Sequence, residues 1–160
     1  MVKTTTVITI SFVLALLLEI IPISSLANWI RPEWVLLVLI YWVMMLPDKV
    51  GVSIAFILGL FMDLIKGTLL GAHALAFVII AYLFTRFCPR MRLLPLWQQV
   101  VVIFLFLFVY KTFQFWVWGL SGVGETVGRG MYWLSSITSA IIWPLVYTLL
   151  KAYQNRYKVY

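Results

Sequence analysis

Apolar residues form six long blocks along this chain, and short segments rich in proline, glycine or charge separate them. An α-helix rises 1.5 Å per residue, so about 20 mostly apolar residues cross the hydrocarbon core of a bilayer. Lipid offers the backbone no hydrogen bonds, and the blocks lack the alternation of barrel strands. The pattern therefore predicts an all-α integral membrane protein, a six-helix transmembrane bundle with spans at residues 5–21, 34–46, 50–65, 69–87, 96–118 and 131–150.

Composition supports a single transmembrane domain over residues 1–160. Hydrophobic residues make up 64% of the chain and charged residues 11%, which is too few to cover a soluble domain. Cys88 is the one cysteine, so no internal disulfide can form. The net charge of +7 comes from basic residues at the ends of spans, where orientation and anionic lipid explain them. We therefore expect membrane lipids, and no nucleic acid, as partners.

The basic residues also predict the orientation of the spans. With six spans, both termini lie on the same side, and lysine and arginine concentrate on the cytoplasmic side of membrane proteins. Eight basic residues share the side of the termini and three lie opposite, so both termini are expected in the cytoplasm. The eight are Lys3, Lys49, Arg86, Arg90, Arg92, Lys151, Arg156 and Lys158, and the three are Arg31, Lys66 and Arg129.

The first span has an alternative interpretation as a cleaved signal peptide, because Lys3 precedes it and Ser25-Leu26-Ala27 resembles a cleavage site. The apolar run is longer than a usual signal core, however, and it contains Glu19. An uncleaved first helix is the prediction.

Three ionisable residues, Glu19, Asp63 and Lys111, fall inside apolar spans. A charge at the bilayer centre costs roughly 2.5–3.5 kcal/mol on insertion scales, so each needs a compensating interaction. The predicted orientation places all three in the outer half, where they could neutralise one another as an intramembrane polar cluster. Alternatively, Glu19 and Lys111 extend to the outer interface without pairing.

Small residues and one acid recur at every fourth position around the third span. This spacing lets another helix approach closely in a membrane. One interpretation is packing against a neighbouring helix of the same chain, and the other is a docking surface for a second membrane protein. The positions are Gly51, Ala55, Gly59, Asp63, Gly67 and Gly71.

Enzyme motifs are absent from the sequence, which has no phosphate-binding glycine loop, no HExxH and no plausible serine triad. His73 is the one histidine and is expected to be a hydrogen-bonded packing residue rather than a metal ligand. We expect no catalytic residues, no metal and no cofactor. Trp116 and Trp143 lie deep in spans and are expected to pack between helices.

Several of these segments resemble the MreD family of rod shape-determining membrane proteins, in its proteobacterial form. Arg31-Pro32-Glu33-Trp34, followed by an apolar run, is similar to the R-P-x-W/L-x-L-L start of that family's second helix. The segment from Gly59 to Leu64 is similar to its G-x-x-x-D-L signature, and Leu70-Gly71 to the L-G that follows. Leu96-Trp97-Gln98-Gln99 and Trp143-Pro144 resemble its fifth and sixth helices.

The resemblance implies a function that the residues alone do not give. It implies a non-enzymatic scaffold in the bacterial inner membrane, within the complex that elongates the lateral cell wall. The expected direct partner is MreC, in a complex with the RodA polymerase, a class-B transpeptidase and MreB. The implied fold is similar to the S-components of energy-coupling-factor transporters. Candidate partner-interface residues are Arg31, Pro32, Gly59, Asp63, Gly67 and Gly71.

Two other functions are compatible with the sequence. The first is a small-molecule-binding transporter subunit of the S-component type, with a pocket between helices on the outer side. The second is an ion or proton pathway through Glu19, Asp63 and Lys111, although the inner half of the spans offers few polar groups to continue it.

Overall fold

The protein is described by a computed structural model that covers residues 2–21, 30–87, 90–121 and 133–157. Cys88, Arg129, Lys158 and the segment Ser25–Ala27 lie outside these residues. The described chain is all-helical, and each of the six predicted spans overlaps one α-helix. The helices are α1 (Val2–Ile20), α2 (Trp34–Met45), α3 (Val52–Lys66), α4 (Ala72–Phe87), α5 (Leu96–Ser121) and α6 (Leu134–Arg156), with a 3₁₀ helix at Met91–Leu93.

Helix α2 occupies the centre of the fold and packs against α1, α4 and α6. Ten of its twelve residues are buried, including Tyr41 and Trp42, which are fully enclosed. A helix that is apolar on every side can be surrounded either by lipid or by other helices, and α2 is surrounded by other helices. Its side chains therefore form the middle of the hydrophobic core.

The helices α3 and α4 form the most extensive packed pair. Gly59 of α3 touches the backbone of α4, since a Cβ built on it would lie 2.3 Å from the Cα of Ala74. The helix α3 ends at Gly67, whose φ of +61° is left-handed and whose N–H bonds to the carbonyl oxygen of Asp63. Small residues thus let the two helices meet closely within one chain.

The helix α5 packs against both α4 and α6, largely through aromatic side chains such as Phe84 and Phe106. Trp143 of α6 is fully buried, as expected, and its Nε1 donates a hydrogen bond to Gln99 of α5 at 3.2 Å. Trp116 was expected to pack between helices, but it is 70% exposed, so that expectation is wrong. The helix α6 continues through Pro144 without ending.

Among the helices that the structure describes, two are long and apolar enough to cross a bilayer by length and composition, at Leu96–Val117 and Leu134–Arg156. Three shorter apolar helices, Thr4–Ile20, Trp34–Met45 and Ala72–Phe87, accompany them. Twelve helical residues reach only about 18 Å. Other helices enclose α2. Backbone groups next to α2 can therefore bond to protein at membrane depth and need not be helical.

Candidate functional site

Polar and charged side chains gather at one end of the molecule, which we call the polar end. There α1 and α3 finish, and α2, α4 and α6 begin. Helix ends leave backbone groups without intrahelical partners, so this end needs polar side chains to satisfy them. The same end collects four buried or partly buried charges from four different segments.

These four residues, Glu19, Glu33, Lys66 and Lys111, form what we call the charge cluster. The Nζ atom of Lys66 lies 3.0 Å from Oε1 of Glu19 and 3.2 Å from Oε2 of Glu33. The Nζ atom of Lys111 lies 2.5 Å from Oε1 of Glu33. Two negative and two positive charges balance, which is the condition for keeping them in an apolar environment.

Glu33 is the centre of the charge cluster because it contacts both lysines. It immediately precedes α2, and its backbone N–H donates a hydrogen bond to Oγ of Ser139 on α6 at 3.0 Å. Burial alone would raise the pKa of the Glu33 carboxyl, but the nearby charges of Lys111 and Lys66 outweigh burial and lower it below the usual value. Glu33 is therefore ionised at neutral pH and joins α2 to α3, α5 and α6.

Arg31 acts on the end of α1. Its guanidinium donates hydrogen bonds to the carbonyl oxygen of Leu18 and, at 3.1 Å, to that of Ile21. The last carbonyls of a helix lack partners and carry partial negative charge, so a cation there is favourable. Pro32 follows and accepts a hydrogen bond from the N–H of Trp34 at 3.0 Å.

Asp63 organises the turn between α3 and α4, rather than pairing with Lys111. Its carboxylate accepts hydrogen bonds from the hydroxyl of Thr68 at 2.9 Å and from the N–H groups of Gly71 and His73 at 2.8 and 2.9 Å. The Nδ1 atom of His73 lies 2.7 Å from the same carboxylate. Asp63 thus satisfies the N–H groups at the start of α4, the role of a helix-capping side chain.

His73 places the Asp63 turn next to the charge cluster. Its ring packs 6.2 Å from that of Tyr110, the residue before Lys111 on α5. The structure therefore brings Glu19 and Lys111 into one network through Glu33 and Lys66. Asp63 stands beside that network and bonds within its own turn. His73 is hydrogen-bonded and packed, as its sequence context predicted.

Comparison with known proteins identifies the family. A sequence model of the family described as rod shape-determining protein MreD matches residues 2–153. The chain belongs to the MreD family. The rod shape-determining protein MreD of Haemophilus influenzae is 33% identical over 149 residues, which cover 93% of this chain and 91% of that protein. No solved structure matches the chain. The family relationship supports a membrane protein with a role in rod shape determination.

The structure gives three of the MreD-like motifs a physical role. In the R-P-x-W segment, Arg31 caps α1 and Glu33 centres the charge cluster. In the G-x-x-x-D segment, Gly59 permits contact with α4 and Asp63 holds the first turn of that helix. Gly71, in the L-G pair, has a φ of +101° and donates its N–H to Asp63.

Sequence reasoning missed Glu33 and Lys66 as members of the buried network. In the sequence, Lys66 is one of the three basic residues on the side opposite the termini, and Glu33 is one position of the R-P-x-W segment. A signal was available, since both residues lie directly at the end of an apolar block, at the depth expected for Glu19 and Lys111. The described residues hold no group of three or more His, Cys, Asp or Glu side chains arranged for a metal ion.

Proposed function

We propose that this MreD-family chain is a non-enzymatic scaffold of the lateral cell-wall elongation complex. It lies in the bacterial inner membrane as a multi-pass protein with both termini in the cytoplasm. It binds MreC directly and belongs to a complex with RodA, a class-B transpeptidase and MreB. The family relationship and the arrangement of the polar end support this proposal.

The charge cluster supports a structural rather than a chemical role for the buried charges. Its acids and bases neutralise one another and connect α1, α3 and α5 to the residue that precedes α2. Paired buried charges fix one arrangement of helices in a membrane, where apolar packing alone gives little orientation. A fixed arrangement is what a scaffold needs, because its docking surfaces must keep their shape.

The surface that we propose for MreC is the turn at residues 67–71, which we call the outer turn. Leu69 and Leu70 in this turn are 56% and 65% exposed, and a Cβ on Gly67 or Gly71 would meet no atom within 4 Å. The carboxylate of Asp63 holds the turn through Thr68 and Gly71. This is the observation that carries the proposal: a buried acid holds in shape a turn that displays two leucines. A preformed apolar surface loses little entropy when a partner binds.

Gly59 and Asp63 contribute to docking only indirectly in this proposal. Both contact α4 of their own chain, so the middle of the four-residue repeat of small residues from Gly51 to Gly71 serves internal packing. Partner contact then falls to the outer turn, which contains Gly67 and Gly71, and to the neighbouring Arg31-Pro32 segment. On the opposite end, exposed Arg86, Arg90 and Arg92 face anionic lipid or components associated with MreB.

Co-purification with MreC in detergent tests the proposal. Leu70→Ser should reduce recovered MreC at least severalfold. The matched control is Leu93→Ser, which changes an exposed leucine at the other end of the molecule. Asp63→Asn should reduce recovery as well, because the outer turn loses its anchor. Stoichiometric MreC with both Leu70→Ser and Asp63→Asn would exclude the outer turn as the docking surface.

A second candidate function is a small-molecule-binding subunit with S-component-like packing. The observation that favours it is that single buried polar atoms at the polar end, such as Oε2 of Glu19 and Nε of Arg31, have no hydrogen-bond partner among the described residues. A tight ligand would raise the melting temperature by mass action, whereas the scaffold would respond to MreC. Thermal unfolding with a panel of vitamins, with MreC as the positive comparison, separates the two.

A further inference from the structure

Gln114 is a buried polar residue that does not bond to the charge cluster. It lies on α5, one turn beyond Lys111, and is 1% exposed. Neither its amide nitrogen nor its amide oxygen makes a hydrogen bond with any described residue. A primary amide in an apolar environment without partners is strongly unfavourable, so its position calls for an explanation.

Two serines in the first turn of α6 share this property. Ser135 and Ser136 are 4% and 0% exposed, and their hydroxyls have no hydrogen-bond partner in the described part of the chain. Ser139, one turn further along, is different. Its hydroxyl accepts the N–H of Glu33 and donates to the carbonyl oxygen of Ser135 at 2.6 Å. The first turn of α6 therefore holds unused hydrogen-bonding capacity, and the second turn does not.

Contacts through Glu33 indicate that Gln114 and Ser135 lie at one level, and Ser136 is the next residue on the same turn as Ser135. Glu33 touches Lys111 of α5 with its carboxylate and Ser139 of α6 with its backbone, so those two residues flank it. One turn from Lys111 along α5 lies Gln114. One turn from Ser139, back towards the start of α6, lies Ser135. Both steps lead towards the polar end, because α5 finishes there and α6 begins there.

Ring contacts confirm that α5 and α6 meet at this level. The indole of Trp133, directly before α6, stacks against Phe108 with ring centroids 6.1 Å apart and lies 5.7 Å from Phe115. Phe108 and Phe115 are on the turns of α5 that bracket Lys111 and Gln114. We call the set of Gln114, Ser135 and Ser136 the amide–serine layer.

We propose that the amide–serine layer is a binding site for a hydroxyl group. A hydroxyl donates one hydrogen bond and accepts others, which matches an amide and two serine hydroxyls that each donate and accept. The group that the layer holds is neutral, because the adjacent charges of Glu33 and Lys111 already pair with each other. In a charged phospholipid that group is the terminal glycerol and not the phosphate. Two sources have this chemistry: ordered water and the glycerol headgroup of a phospholipid such as phosphatidylglycerol. The site is independent of the MreC proposal.

Stability of paired variants tests whether a shared occupant exists. Gln114→Leu keeps the volume of the side chain and removes its polar atoms, and Ser136→Ala removes one hydroxyl. We expect each to lower the melting temperature in detergent, and the double variant to be no less stable than the worse single variant. Non-additivity of this kind identifies residues that share one partner. Gln98→Leu makes the same change in the first turn of α5, at the opposite end, and serves as the control.

Three results would overturn the proposal. A rise in melting temperature for Gln114→Leu would mean that the amide is simply buried without a partner. If Gln114→Leu shifts the melting temperature by the same amount as Gln98→Leu, the amide of Gln114 has no bound partner to lose. Full additivity of the two substitutions would mean that Gln114 and Ser136 have separate partners.

A second experiment distinguishes the two sources of the hydroxyl. Phosphatidylglycerol added to delipidated protein should stabilise the wild type, but not the double variant, if the headgroup is the occupant. If both respond alike, the lipid headgroup is excluded as the occupant and water is left to be tested. X-ray hydroxyl-radical labelling in ¹⁸O water should then mark buried Tyr110, one turn from Gln114, more in the wild type than in the double variant. Equal lipid response together with equal labelling would contradict the site.

Discussion

The ammonium of Lys111 lies 2.5 Å from the carboxylate of Glu33, and the two residues are 78 positions apart in the chain. Lys111 is in the second half of the longest helix, and Glu33 directly precedes the central helix. Neither charge could remain buried alone without a large cost. The pair therefore fixes the position of α5 relative to the start of α2. Lys66 of α3 bonds to Glu33 and to Glu19 of α1, and so fixes α1 and α3 in the same way.

Removing one member of this pair should be far more damaging than removing both. Lys111→Met leaves Glu33 buried with one lysine instead of two, and breaking a buried pair in this way typically costs about 3–5 kcal/mol. Glu33→Gln combined with Lys111→Met removes both charges and should recover a large part of the loss. Thermal unfolding in detergent measures this, and a double variant less stable than Lys111→Met would contradict the pairing.

Stability should also depend on pH through Glu33. The pKa of Glu33 lies below its ordinary 4.5, since the charges of Lys111 and Lys66 overcome the opposing effect of burial. A depressed folded-state pKa adds stability above the unfolded pKa, and that stability is lost as the pH falls towards the folded pKa. The contribution of Glu33 should thus be constant from about pH 7 to about pH 5 and decline below about pH 4.

The comparison that isolates this effect is the wild type against Glu33→Gln. Asp63 bonds within its own turn in both proteins, so its titration cancels in the difference. Glu19 shares Lys66 with Glu33, so a Glu19→Gln background in both proteins removes its titration from the comparison. The stability difference between the two should shrink in acid. A difference that stays the same down to about pH 3 would mean that Glu33 is not ionised in the folded protein.

Gly59 should tolerate no side chain. A Cβ there would lie 2.3 Å from the Cα of Ala74 and 2.6 Å from its N, and backbone atoms cannot move aside without separating α3 from α4. Gly59→Ala should therefore destabilise the fold by about 1–3 kcal/mol, as overpacking does. Gly119→Ala is the control, because a Cβ at that helical glycine meets nothing within 4 Å. It should be neutral or stabilising by up to about 1 kcal/mol.

The end of the molecule opposite the polar end should recruit anionic lipid through its exposed arginines. Arg86 and Arg92 are exposed at the end of α4 and in the 3₁₀ helix, next to the exposed apolar side chains of Phe87 and Leu93. Each cation near an anionic surface contributes about 1 kcal/mol. Arg86→Gln with Arg92→Gln should reduce the phosphatidylglycerol that native mass spectrometry finds bound to the protein. Lysine at both positions keeps the charge and should keep the lipid, and equal loss in both variants would show that charge is not the cause.

Local sequence was sufficient for the helices and insufficient for their contacts. Each helix follows from an apolar run bounded by proline, glycine or charge, because helix formation in lipid depends on the run itself. The need to neutralise Glu19 and Lys111 was equally visible, since an unpaired charge in an apolar span is unfavourable whatever surrounds it. The hydrogen bonds of Asp63 in the turn between α3 and α4 could have been inferred, because Thr68, Gly71 and His73 all lie within ten residues of Asp63.

The sequence by itself thus determined that this chain is helical and apolar, and that the charged residues within its apolar spans require partners. Only the tertiary structure decided that Glu19 pairs with Lys66, that Lys111 pairs with Glu33, and that Gly59 packs against its own chain. The physical reason is distance along the chain. A helix is specified by neighbours within a few residues, whereas these contacts join segments that are brought together only when all the helices pack around α2.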